Sequence, residues 1–173
     1  MKTSYILGGL ATLALGFFGY KAATKPKPVS PSIQEALIEE AKALIGTLYL
    51  WGSKNPAKGG LDCSGFFTWL REKLGLLPKN FGANHNADSL YRMSTKISES
   101  EAVPGDAVFY GTQDHVSHVM MVASNGYVVG ATGGGPSTTS AAIAKEQNAE
   151  VKFMPTHYRK DIVAFGRIPV IAA

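Results

Sequence analysis

An α+β fold is what the order of patterns in this 173-residue chain predicts. The first half holds amphipathic, helix-like stretches, above all Ser32 to Ile45 and Asp62 to Leu74. The second half switches to short β-branched and aromatic runs, two of them joined by Asn125-Gly126, the strongest short-range hairpin pattern. Helices first and an antiparallel meander afterwards is an α+β layout. The length suits one domain with an ordinary core plus an appendage, and no internal repeat is present.

The appendage comes first. After Lys2 an uncharged run extends from Thr3 to Tyr20, followed by Lys21-Ala22-Ala23. A positive start and an apolar centre fit a secretory signal peptide; an uncleaved membrane anchor competes, because the run is borderline for spanning a bilayer. Residues 1–23 are therefore expected to be a signal or anchor that places the domain outside the cytoplasm, in the periplasm or beyond. Residues 24–31, Thr-Lys-Pro-Lys-Pro-Val-Ser-Pro, read as an extended proline-spaced linker, which leaves 32–173 as the domain.

Within the domain, Ser32 is the expected helix cap, with Glu35 completing a capping box. Ile33, Ala36, Leu37, Leu44 and Ile45 form the apolar stripe, and Gly46 ends it. A loop from Tyr49 to Gly60 leads into a second helix capped by Asp62, carrying Phe66, Phe67, Trp69, Leu70 and Leu74, and closed by Gly75 and Pro78. Asn84 to Met93 reads as a short third helix. Pro104-Gly105-Asp106 is a turn, and strands follow over 107–110, 116–123, 127–132, 151–154 and 162–168. Gly133-Gly134-Gly135-Pro136 breaks the run; with no lysine after it, it is a turn or cleft-edge loop rather than a phosphate loop.

Charge excludes some functions. The net charge is +4, and Lys2, Lys21, Lys25 and Lys27 account for all of it, so the domain itself is neutral. It has no basic stripe with interleaved aromatics, and no nucleic-acid partner is expected. The basic linker offers salt-sensitive contact with an anionic membrane or wall polymer. Metal-ligand spacing is absent, so neither metal nor cofactor is expected.

The chemistry rests on Cys63, the only cysteine. It cannot pair internally, and an unpaired thiol in an exported protein is an oxidation liability unless it has a function. Its place in the first turn of a helix favours thiolate through the dipole, which suits a nucleophile. The local pattern fits a buried structural cysteine equally well. A cysteine nucleophile needs a base, and four histidines are available: His85, His115, His118 and His157. His118 opens the apolar run Val119-Met120-Met121-Val122, a rigid setting for a base, although a histidine there is as readily structural.

Four pieces together resemble the NlpC/P60 cysteine peptidases: Tyr49-x-Trp51-Gly52, Asp62-Cys63-Ser64-Gly65-Phe66, Pro104-Gly105-Asp106 and Ser117-His118-Val119. The similarity runs from about Ile33 to Ile168 in the family's order and spacing. It implies a papain-like core, a nucleophile helix packed on an antiparallel sheet that carries the base. It also implies action on peptidoglycan stem peptides, often between D-γ-glutamate and a diamino acid. Carried over by position, Cys63 attacks the amide carbonyl, His118 is the base, and Tyr49 helps stabilise the oxyanion. Asp62 and Ser64, with Trp51 nearby, border the substrate pocket; Asp62 would face a free L-alanine amine while also capping the helix.

The departure is at the third catalytic position, twelve residues after the base, where the family usually has a polar residue and this chain has Gly130. A water or backbone carbonyl could orient the imidazole, or Thr132 could, if a Ser124-Asn125-Gly126 loop sets it opposite His118. Alternatively the protein is catalytically inactive and binds the wall or serves as a structural, for example virion-associated, subunit. The enzymatic rival is a CHAP-type cysteine amidase, against which the Tyr49-to-Ser64 segment argues.

Overall fold

A computed structural model describes residues 26–171; the expected signal or anchor and the first part of the linker lie outside them. Among the described residues no helix is long and apolar enough to cross a membrane.

The first helix, α1 (Pro31–Ala43), starts two residues before the expected position. Its cap is Ser30 rather than Ser32, because Pro31 supplies the fixed φ that suits a first helical position and Ser30 Oγ accepts from Ile33 N. Leu37 and Ala41 are fully buried. Val29 packs on the core just ahead of α1, so the end of the linker belongs to the domain. A two-stranded ribbon, β1 (Lys54–Asn55) and β2 (Gly60–Leu61), then leads to α2 (Cys63–Lys73). The expected third helix, Asn84 to Met93, starts later: residues 81–84 form a 3₁₀ turn, and α3 (Ala87–Met93) begins after Asn86. Asn86 and Ser89 form a reciprocal capping box that fixes this later start.

The remaining strands build one antiparallel sheet. They are β3 (Thr95–Ile97), β4 (Ala107–Gly111), β5 (Val116–Ser124), β6 (Tyr127–Thr132), β7 (Glu150–Pro155) and β8 (Ile162–Arg167), in the order β3-β8-β4-β5-β6-β7. A short α4 (Ala141–Glu146) crosses between β6 and β7. Side-chain alternation divides the sheet into two faces. Phe109, Val119, Met121, Val129 and Ala131 join Leu37, Phe66, Phe67, Leu70 and Leu90 in the main core. Val108, Tyr110, Met120, Val122, Val128 and Phe165 form a second cluster on the other face. The α+β class and the helix-on-sheet arrangement are as the sequence predicts.

One buried ion pair ties the sheet to the turn before it. Arg167 donates from Nε and Nη2 to the two oxygens of Asp106, at 2.9 and 2.7 Å, and from Nη2 to the Glu101 carbonyl. Asp106 also accepts from Val103 N at 3.0 Å. The Pro104-Gly105-Asp106 piece thus locks β4 against β8.

Candidate active site

Cys63 is buried, at the first position of α2. Asp62 caps this helix, its Oδ1 accepting from Gly65 N at 2.6 Å. Gly65 is required here: a Cβ at this position would lie 2.3 Å from the Ser53 carbonyl oxygen. The thiol meets the sheet at β5, where the backbone N–H groups of Val119 and Ser64 lie near enough to the sulfur to favour its ionised form. The Val119 N–H is left open to the sulfur because the β5–β6 ladder runs only as far as Met121 opposite Val129. Past that pair the strands no longer bond to each other.

His118 is the residue just before Val119, and both Cys63 and His118 line one cavity of about 530 Å³. Its ring packs on Tyr110, with centroids 5.7 Å apart. No hydrogen bond joins thiol and imidazole among the described residues, and Nε2 is buried with no protein partner. An open pair of this kind is common before substrate binds.

Burial dominates the protonation of both groups. It pushes the Cys63 thiol up to about 11, with help from the Asp62 carboxylate and against the two N–H donors and Lys54. Burial also pulls His118 down to about 3, with Arg159 adding to the effect and Asp161 opposing it. Burial and the Asp62 carboxylate thus oppose the thiolate-favouring effect expected of the helix terminus. The favourable donors are present but are outweighed by desolvation and a neighbouring carboxylate. Burial thus disfavours the charged form of both groups.

The structure brings the other sequence candidates to the same cavity, with specific partners. Tyr49 lines it and stays protonated, its phenol raised by burial, Cys63 and Asp62. The glycine run forms the wall beside it: a Cβ on Gly134 would lie 2.3 Å from Tyr49 Cδ1, so the tyrosine ring needs that glycine. Trp51 sits at the rim, 50% exposed. Asp62 and Ser64 also line the cavity, but their oxygens are engaged by Lys54, whose Nζ lies 2.9 Å from both Asp62 oxygens and 2.5 Å from Ser64 Oγ.

Around the third position, Gly130 faces Met120: a Cβ there would lie 2.7 Å from Met120 Sδ. The hairpin turn is Asn125-Gly126 with an irregularity between Val122 and Ser124, and the pairing ends at Met121 opposite Val129, short of His118 and Thr132. The Thr132 hydroxyl bonds Tyr158 OH at 3.2 Å. His115 lines the cavity at the loop before β5, whereas His85 stacks on Phe81 and His157 bonds Glu99 on the surface.

Three charged cavity residues were not singled out from the sequence. Lys54 and Arg159 lie in segments without any motif. Asp88 had one signal, its spacing from Arg92 on a helix; it bonds Arg92 and also accepts from Val116 N at 3.3 Å, which pins the start of β5. No group of three or more potential metal ligands occurs among the described residues.

Comparison with known proteins agrees with this geometry. The sequence model described as "NlpC/P60 family" matches residues 46–154. "Probable endopeptidase p60" of Listeria innocua is 35% identical over 137 residues, covering 77% of this chain and 24% of that protein. "Bifunctional muramidase/DL-endopeptidase CwlT" of Bacillus subtilis is 32% identical over 148 residues, covering 83% of this chain and 39% of its own length. The chain thus spans well under half of these curated relatives. The crystal structure of the NlpC/p60 domain of the peptidoglycan hydrolase SagA aligns with a TM-score of 0.59 at 25% identity, over 78% of this chain and 98% of that one. The matched segment contains α2 with Cys63 and β5 with His118, and it is well over half of the sequence: this chain belongs to the NlpC/P60 family.

Proposed function

We propose that this chain is a cysteine endopeptidase that hydrolyses peptidoglycan stem peptides in the cell envelope, with the D-γ-glutamyl–diamino acid bond as target. The observation that carries the reading is the placement of Cys63 Sγ against the backbone of Val119, the residue after His118, in a shared cavity. The names of the relatives, an endopeptidase and a DL-endopeptidase, support the same class of reaction.

With burial disfavouring the charged form of both groups, the thiol gives its proton to His118 as sulfur attacks the carbonyl carbon. The tetrahedral oxyanion is met by the Tyr49 hydroxyl and the backbone N–H of Cys63 at the head of α2. The imidazolium then protonates the leaving amine, and a water, deprotonated by the same ring, hydrolyses the thioester. Packing on Tyr110 holds the ring without a side chain at position 130. Peptidoglycan is the partner. The signal or anchor expected at residues 1–23 would provide export.

The unpartnered Nε2 and Gly130 favour one second reading, a domain that binds wall peptides without cutting them. Incubation of the full chain and of Cys63→Ala with muropeptides, followed by mass analysis, separates the two. Cysteine-dependent cleavage within the stem supports the peptidase. Release of whole stems from the sugar would indicate the CHAP-type amidase instead. Peptide binding with no product would leave the non-catalytic reading.

A further inference from the structure

Of the charged groups on the cavity wall, most are spent on one another. Lys54 is held by Asp62 and Ser64, Asp62 by Lys54 and Gly65 N, and Asp88 by Arg92 and Val116 N. Arg159 is different. It lines the cavity with its side chain 34% exposed. Asp161 takes Nε at 2.8 Å and also Nη2, which fixes the guanidinium by one edge. The Tyr110 ring lies 5.4 Å from the guanidinium carbon and 5.7 Å from the His118 ring, so the cation is stationed on the imidazole side of the cavity. Nη1 has no hydrogen bond among those described.

We infer that Arg159 is a specificity residue that receives a substrate carboxylate through Nη1. This rests on the stem-peptide reading above, and it extends that reading from the bond to the residue recognised. In the proposed reaction the acyl group goes to Cys63 and the amine departs from His118, so groups beside His118 belong to the leaving residue. The carboxylate expected there is the second one of a diaminodicarboxylic acid, such as diaminopimelate, which lysine lacks. The other stem carboxylate with the same chemistry is the α-carboxylate of D-glutamate, on the acyl side.

A bound carboxylate would do more than anchor the peptide. Arg159 opposes protonation of His118, and an anion on Nη1 offsets that charge, so the matching substrate makes the base stronger. Recognition would then appear in kcat as well as in KM.

The test uses the full chain carrying Cys63→Ala and reads peptide binding by calorimetry. The ligands are L-Ala-D-γ-Glu-diaminopimelate, its lysine analogue, and the analogue with the glutamate α-carboxylate amidated. The diaminopimelate peptide is expected to bind about tenfold more tightly than the lysine peptide, as for a charge-assisted pair. Adding Arg159→Gln should erase that ratio, and Arg159→Lys should retain part of it. If it is the amidated peptide that binds weakly and R159Q erases that difference, the carboxylate site stands and its source is the glutamate. An unchanged ratio in R159Q, or no peptide binding at all, overturns the inference. Turnover by the Cys63-intact chain gives a separate answer. Arg159-dependent binding without any cleavage would sink the peptidase reading and leave the carboxylate site standing. With cleavage, R159Q should lower kcat/KM on the matching substrate through the lost carboxylate contact and shift its acid limb toward higher pH.

Discussion

Lys54 Nζ lies 2.9 Å from each carboxylate oxygen of Asp62, the residue that caps the helix carrying Cys63. Asp62 therefore has two structural commitments, to Gly65 N and to Lys54, before any substrate amine arrives. Its charge also works against the nucleophile, since a carboxylate beside the thiol disfavours thiolate.

Asp62→Asn should retain the cap, because asparagine caps as well as aspartate, while removing that charge. Lys54, freed of its partner, would add to the effect in the same direction. The alkylation rate of Cys63 at pH 8 should rise about threefold or more, corresponding to half a pKa unit or more. Iodoacetamide labelling of the two proteins over a pH series checks this, and an unchanged midpoint would contradict it.

Gly134→Ala tests the wall beside Tyr49. The new methyl cannot fit 2.3 Å from the ring, so Tyr49 must move. The expected cost is about 1–3 kcal/mol of stability, as for overpacked cores. Loss of turnover should accompany it. Urea denaturation and peptide hydrolysis measure the two effects.

Burial of neutral His118 makes stability depend on pH. Its folded value is pulled down to about 3 from an ordinary value near 6.5, so between these the unfolded chain binds the extra proton. This contribution is complete above about pH 6.5 and is lost as pH falls toward 3, at up to about 1.4 kcal/mol per pH unit. His118→Asn should flatten the melting temperature between pH 6.5 and 4 relative to the parent. Parallel curves would show that His118 is not buried as described.

The Asp106–Arg167 pair is expected to be structural. Arg167→Ala leaves a buried carboxylate without its partner and should cost about 3 kcal/mol or more, while Cys63 labelling in the still-folded fraction stays the same. Denaturation at neutral pH gives the first number directly.

The sequence was most legible where a short pattern determines local geometry. Asp62 before an amphipathic run placed α2, and Asn125-Gly126 placed the β5–β6 hairpin. The expected alignment of Thr132 with His118 lies beyond the last paired residues, Met121 and Val129, and the hairpin itself has a two-residue turn with an irregularity between Val122 and Ser124. Contacts between distant segments were not legible. Lys54 and Arg159 reach the cavity only because β1 and the turn before β8 are brought there by pairings that no local pattern encodes. Nor was the opposing effect on the thiol legible at the helix terminus, because burial against β5 is tertiary. The start of α1 was missed for a smaller reason: Ser30 and Ser32 both satisfy a capping pattern, and Pro31 decides between them.

The most direct measurement is mass spectrometry of muropeptides after incubation with the full chain, beside Cys63→Ala and His118→Ala. The expected result is a new pair of products split at the D-γ-glutamyl–diamino acid bond, present with the parent and absent with both variants. Intact stem peptides in all three digests, with the parent chain folded and still binding wall peptides, would contradict it.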